Sequence, residues 1–246
     1  GPSKKRVEFL SNVIKKIKAN YPIEVCLSPG LISKEDAKLL ADSGLDRYNH
    51  NLNTSESNYE NICTTHTFKD RLDTLSNVNA NNIDICSGMI VGMGESDKDI
   101  VDVAFKLKEV NVKSIPINFY LHMEGNKLGK RPKVSPEKCC KIVALFRAIH
   151  PSAEIRLAAG REYYLGDMQS MALMAANSLF MNGYLNIKGS DIHDTIGMIE
   201  GAGFTVDADV DLTQLKSSAK TMSALEQFNA NELALKSKEE LHPALG

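Results

Sequence analysis

From residue 3 to about residue 204, stretches with apolar residues at helical spacing alternate with short apolar or β-branched runs of strand length. That alternation constrains the chain more than any other feature. A strand followed by a helix, repeated, builds a parallel sheet, because each helix carries the chain back to start the next strand on the same side. The spacing predicts helices over Ser3–Ala19, Ser33–Ser43, Phe68–Ala80, Asp97–Val110, Pro136–Ile149, Arg161–Ala175 and Asp191–Ala202. Ser3, Ser33, Ser96 and Ser135 stand where N-caps are expected, and Gly44 and Gly201 where helices stop. Strands are predicted over Ile23–Leu27, Asp46–Leu52, Ile83–Val91, Ser114–Leu121, Glu154–Leu157 and Ser178–Met181.

An opening helix followed by six strand-helix units is the repeat of a (β/α)8 TIM-type barrel that lacks its first two strands. An open dinucleotide-binding sheet is the poorer reading. Gly92 and Gly94 are followed by Asp97, so the third glycine of G-x-G-x-x-G is missing. Beyond Phe204 the composition turns to Asp, Lys, Ser, Ala and Glu. The chain thus divides into a partial barrel over 1–204 and a polar tail over 205–246, helical or partly disordered, to which no chemistry is assigned.

Hydrophobic residues make up 43% of the 246, enough for a substantial core. The 29 Lys and Arg against 31 Asp and Glu give a net charge of -2, which offers no ground for expecting a nucleic-acid or membrane partner. No apolar run approaches the roughly 18 residues of a membrane span, and the expectation is a soluble, cytoplasmic protein. Five cysteines, an odd number, argue against a secreted disulfide framework and leave reduced thiols, iron or zinc.

In a parallel barrel the strands' C-terminal ends carry the chemistry, so polar residues there have weight. Cys26 is placed at the end of the first predicted strand, Asn49-His50-Asn51-Leu52-Asn53 at the end of the second, Cys86 within the third, Asn118 within the fourth and Arg156 at the end of the fifth. Buried amides and imidazoles need partners, so the asparagine run suggests ligand recognition. Cys26 and Cys86 fit neither a zinc ribbon nor a redox C-x-x-C pair, and residue type alone leaves open whether they are core thiols or ligands. Cys139 and Cys140, adjacent on a predicted helix, read as structural. Cys63 reads as an exposed bystander in a polar loop, with reactivity the alternative. The segment Gly88 to Glu95 admits either close approach to a flat ligand or tight strand-helix packing. The histidines lack metal-triad spacing, and no G-x-S-x-G or Walker sequence is present.

These residues carry a pattern: Tyr48 to Ser55 (YNHNLNTS), Cys86 to Glu95 (CSGMIVGMGE), Ile115 to Asn118 (IPIN) and Arg156 to Glu162 (RLAAGRE). In that order, from residue 1 to about Phe204, the chain resembles the biotin synthase family of radical S-adenosylmethionine enzymes. The resemblance implies a (β/α)8 barrel that inserts sulfur into dethiobiotin. It implies a [4Fe-4S] cluster held by C-x3-C-x2-C that cleaves S-adenosylmethionine, and an auxiliary [2Fe-2S] cluster held by three cysteines and an arginine. By motif, Cys26, Cys86 and Arg156 match three of those four auxiliary ligands. The same resemblance puts Asn49, His50, Asn51 and Asn53 at the nucleoside and substrate, Gly88, Ile90 and Gly92 at adenine, and Asn118 at the ureido ring. A flavodoxin or ferredoxin as electron donor, a homodimer and a cytoplasmic location are implied as well.

The sequence departs from the family in two ways. Asn53 stands where many members have aspartate, and no C-x3-C-x2-C occurs. The resemblance therefore implies an N-terminally truncated family member, inactive as this piece. The competing readings are a cluster-free barrel that binds a dethiobiotin-like ligand without catalysis, and another radical enzyme of related barrel, such as a hydrogenase-maturation enzyme.

Overall fold

The computed structural model describes residues 1–185, 187–208, 212 and 233–236. The chain forms two compact units, one of residues 1–116 with 148–154, the other of residues 117–147 with 155–246.

The first unit opens on helix α1 (Lys4–Asn20) and continues through β1 (Cys26–Leu27), α2 (Lys34–Ala41), β2 (Arg47–Asn49), α3 (Glu56–Ile62), α4 (Phe68–Asn79), β3 (Asp84–Cys86), β4 (Met89–Val91) and α5 (Asp97–Glu109), to the start of β5 (Ser114–Phe119). The pairs β1/β2, β2/β3 and β3/β5 are parallel, as the alternation predicts. Local signals explain the helices. Ser33 with Asp36, Thr67 with Asp70 and Ser96 with Asp99 form capping boxes that satisfy the first free amides of α2, α4 and α5. Ile100, Val103, Ala104 and Leu107 then give α5 one buried face at spacings of three and four. The core gathers Tyr48, Leu52, Leu75, Val78, Ile85, Met89, Val91 and Ile115, all essentially inaccessible.

The second unit holds the end of β5, most of α6 (Pro136–Ile149), the body of β6 (Glu154–Leu157), α7 (Arg161–Leu165), a 3-10 turn at Gly166–Met168, α8 (Gln169–Ala172), β7 (Ser178–Leu179) and α9 (Ile192–Gly201). β6 and β7 pair in parallel, Arg156 opposite Ser178. Residues 233–236 are the described part of the tail besides residues 205–208 and 212; Leu235 bridges Ile187, and Lys188 N–H donates to the Ala234 carbonyl at 2.9 Å. A helix or disorder in the rest of the tail lies outside the described residues.

Five expectations need correction. The predicted strand Ile83–Val91 is two strands, because the chain turns at Ser87-Gly88. Gly88 lies so close to β5 that a Cβ there would sit 1.9 Å from the Pro116 carbonyl oxygen. The predicted helix Arg161–Ala175 breaks at Gly166, whose φ of 50° and ψ of -126° no helix contains. Helix α3 is not expected from the apolar spacing: it is short, and two of its inward residues are Asn58 and Tyr59 rather than aliphatic. Gly201 ends α9 rather than following it, and the left-handed stop is Gly203, at φ 83°. Cys26 opens β1 rather than ending it, because that strand is confined to two residues.

Candidate functional site

The candidate residues fall in both units. In the first, strand register sets their directions. Cys26 is level with Arg47, and Cys86 with Asn49. Residues 47 and 49 are two apart on β2 and share a face, so Cys26 and Cys86 project from the same side of the sheet, one strand to either side of β2. Cys86 is buried and Cys26 exposed, and none of the five cysteines is in a disulfide. Tyr48 points to the opposite side, fully buried, its hydroxyl donating to the Gly30 carbonyl at 2.6 Å.

Beyond β2 the asparagine run is tied down through backbone. Asn51 Oδ1 accepts from the Gly88 N–H at 3.0 Å. Asn53 N–H donates to the Gly88 carbonyl at 3.1 Å, and the Asn53 carbonyl accepts from Ile90 N–H at 2.7 Å. Asn53 holds φ 70°, the left-handed region that Asn and Asp enter more easily than other side chains. His50 N–H donates to the Cys86 carbonyl at 3.0 Å, and its ring is 7% exposed, with no hydrogen-bond partner for Nε2 among the described residues. Burial first, then the Arg71 charge and His66, pull the His50 imidazole down to about 4, so it is neutral at pH 7. Past β4, Gly92 and Gly94 adopt positive φ, and the Glu95 carboxylate accepts from the N–H groups of Gly92 at 2.6 Å and Met93 at 2.8 Å.

Sequence reasoning missed three residues of this region: Glu95 as a clamp on the glycine turn, Arg71, which donates from Nη1 to the Asn51 carbonyl at 2.5 Å, and Tyr59, whose hydroxyl accepts from Arg71 Nε. Arg71 sits on α4 among other charged residues, and nothing in the local pattern marks it. Glu95 was legible only as the fourth residue after Val91, where a carboxylate reaches back over a glycine turn.

In the second unit, Asn118 is 8% exposed and its Oδ1 accepts from Ala159 N–H at 3.3 Å. Arg156 donates from Nε to Ser178 Oγ at 2.9 Å and lies 5.1 Å over the Phe180 ring, so two contacts fix the guanidinium plane. Arg161 and Glu162 form a buried ion pair at 3.0 Å, and Arg161 also donates to the Phe180 carbonyl at 3.1 Å. The structural readings of Cys139 and Cys140 agree with their surroundings: burial pushes the Cys139 thiol up to about 12 and raises Cys140. Back in the first unit, His150, buried, contacts the Ala104 carbonyl at 2.9 Å. Among the described residues, Asp191, His193 and Asp194 bring ligand atoms within 4.8 Å of one another, but Asp191 caps α9. No described helix is long and apolar enough to cross a membrane.

Thiols on one face of a parallel sheet are soft donors of the kind that suits iron or zinc. Solved structures agree on the fold: the FeFe-hydrogenase maturase HydG from Carboxydothermus hydrogenoformans superposes with a TM-score of 0.69 at 16% identity over 83% of this chain and 53% of its own. Methylornithine synthase (PylB) follows with a TM-score of 0.66 at 15% identity over 85% and 66%. Residues 3–107 match the radical SAM superfamily and residues 116–205 the Biotin and Thiamin Synthesis associated domain. The class this chain resembles, over residues 3–107, is therefore that of the radical SAM proteins, on a fold of parallel βα units.

Within that class the chain is a homologue of the biotin synthases. It is 53% identical over 199 residues to biotin synthase of Leptospira biflexa, covering 81% of this chain and 56% of that one. It is 45% identical over 232 residues to biotin synthase of Acaryochloris marina, covering 94% and 65%. The chain thus spans between about half and two thirds of the length of these relatives.

Proposed function

We propose that this chain is the part of a biotin synthase that holds the auxiliary iron-sulfur cluster and dethiobiotin, in an enzyme that closes the sulfur ring of biotin. The observation that carries this reading is the common face of Cys26 and Cys86 beside the amide-rich end of β2. Two thiolates so placed suit iron. When bound, the auxiliary [2Fe-2S] cluster supplies the sulfur atom, and a [4Fe-4S] cluster with S-adenosylmethionine supplies the radical that removes hydrogen.

The chain's own residues bind and orient. Asn51 and Asn53 present amide N–H groups toward the nucleoside and substrate, while the Asn51 side-chain oxygen and the Asn53 backbone pin the turn at Gly88. Gly88, Ile90 and Gly92 offer backbone groups to adenine, and a side chain at 88 would block the strand packing that makes this possible. Asn49 and neutral His50 contribute polar contacts that carry no charge at pH 7, and Asn118 bonds the ureido ring. Ser178 and Phe180 hold the Arg156 guanidinium, normally a donor without a lone pair, in one plane. The five cysteines form no C-x3-C-x2-C, so the radical-generating cluster is outside this chain's ligands. A flavodoxin- or ferredoxin-type electron donor, a homodimer and a cytoplasmic location complete the proposal.

The test is an anaerobic assay with dethiobiotin, S-adenosylmethionine and a reductant. A protein extended to its relatives' length should form biotin and 5′-deoxyadenosine, and the 246-residue chain alone should form neither. Biotin from the short chain, or tight dethiobiotin binding to metal-free protein with no turnover by the extended one, would overturn the reading.

A further inference from the structure

In the first unit, the face of the sheet that bears Cys26 and Cys86 also carries two buried donors without acceptors. Arg47 on β2 is level with Cys26 on one neighbouring strand and with Asp84 on the other. Its guanidinium is held at the outer end, where Nη1 lies 3.4 Å from Glu154 and Nη2 3.9 Å from Glu24. Nε, nearer the backbone, is buried and has no hydrogen-bond partner among the described residues. Ser114, the first residue of β5, is level with Cys86 and so shares its face. It is wholly buried, and its Oγ also has no partner among the described residues. One donor thus stands beside each thiol, Arg47 by Cys26 and Ser114 by Cys86.

A buried donor without an acceptor is destabilising, and packing alone would not select one here. All six residues of β5 are buried, and an alanine or valine would fill the place of Ser114 with no polar atom to satisfy. Charge does not account for Arg47 either. Glu154 and Glu24 offset its positive charge, and Asp84 at the same level is a third acid. What Arg47 has left to offer this face is a directed N–H. His50 and Ser87 also have buried atoms without partners, but they lie beyond the ends of β2 and β3, where strand register does not assign them to this face. The acceptors that match an N–H and an O–H beside two thiols are sulfur atoms, and in iron-sulfur proteins hydrogen bonds to sulfur help set the reduction potential.

We propose that Arg47 and Ser114 are positioning residues for the iron-sulfur group held by Cys26 and Cys86, the Arg47 Nε–H and the Ser114 hydroxyl donating to its sulfur atoms. The proposal rests on the reading of these two thiols as auxiliary-cluster ligands. A donor on sulfur stabilises the electron-rich reduced cluster more than the oxidised one, so each residue raises the cluster's potential and helps retain its iron. Glu154 has a different part: it occupies the outer nitrogens of the guanidinium and leaves Nε–H for the sheet face.

The experiment has a metal-free arm and a loaded arm. In the metal-free 246-residue chain, Ser114→Ala should leave the urea midpoint at or above that of the unsubstituted chain, because the hydroxyl bonds nothing there. A clear loss of stability would show a partner within the protein and overturn the role of Ser114. In a protein extended to its relatives' length and loaded anaerobically with iron and sulfide, the auxiliary cluster is titrated by absorption and electron paramagnetic resonance. Ser114→Ala and Arg47→Met should each shift its one-electron reduction about ten-fold toward the oxidised form, about 59 mV to more negative potential. Each should also weaken iron retention against a chelator by about ten-fold or more. Glu154→Gln breaks the same ion pair but spares Nε–H and removes a negative charge, so it should not lower the potential. An equal drop in that variant would reduce Arg47 to an ion-pair residue, and unchanged potentials in both Ser114→Ala and Arg47→Met would overturn the proposal. The potential is read without turnover. A protein that assembles the cluster but makes no biotin would therefore sink the biotin synthase reading alone, and one that assembles no auxiliary cluster would sink both.

Discussion

Asp99 is the side chain on which the starts of α3 and α5 converge. It accepts from Ser96 N–H at 2.7 Å and Ser96 Oγ at 2.6 Å, and from the hydroxyls of Ser55, at 2.5 Å, and Ser57. Ser55 in turn caps α3. The bonds from Ser55, Ser57 and Ser96 hold the Asp99 carboxyl far below the usual carboxylate range. A depressed carboxyl adds stability that is present above the unfolded-state value near 4 and is lost as pH falls below it. Asp99→Ala should lower stability by about 1–3 kcal/mol at pH 7, through a lost cap and unmatched hydroxyls. Urea midpoints of the two proteins should converge as pH drops from 5 toward 2, and a constant gap would contradict this account. The capping role was legible in the sequence, since Ser96 and Asp99 have capping-box spacing. The two serines from the other helix were not, because they lie 42 and 44 residues away in the chain.

Two glycines separate space from conformation at the level of elements. Gly88 joins β3 to β4 where a Cβ would collide with the Pro116 carbonyl, a backbone atom that cannot swing aside. Gly88→Ala should cost about 3 kcal/mol or more, beyond ordinary overpacking, because β4 must leave β5. Gly197, inside α9, has nothing within 4 Å of its would-be Cβ, and Gly197→Ala should stabilise by about 0.5–1 kcal/mol. Denaturant melts of both variants test the pair, and equal effects would sink the argument. Helices with a capping residue and a three-four apolar pattern, such as α5, could be read nearly to their ends. Strands were read too long, because Leu52 and Tyr120 are buried as strand residues are, yet lie beyond the ends of β2 and β5. Burial reports itself in sequence more faithfully than hydrogen bonding does.

For the molecule as a whole, the prediction concerns metal. In a protein extended to its relatives' length and loaded anaerobically with iron and sulfide, Cys26→Ala and Cys86→Ala should each lose the auxiliary-cluster share of bound iron. Cys139→Ala, which removes a buried thiol from α6, should keep it. Iron content per chain decides the matter, and full iron in the Cys86 variant would remove that residue from the ligand set. The candidate thiols were legible from strand position alone, whereas their common face needed the register of β1, β2 and β3. A last consequence belongs to Asn53. Its left-handed backbone narrows the side chains that fit to very few, and Asn and Asp are both among them. A lineage can therefore switch a full negative charge on or off at this spot without disturbing the chain's path.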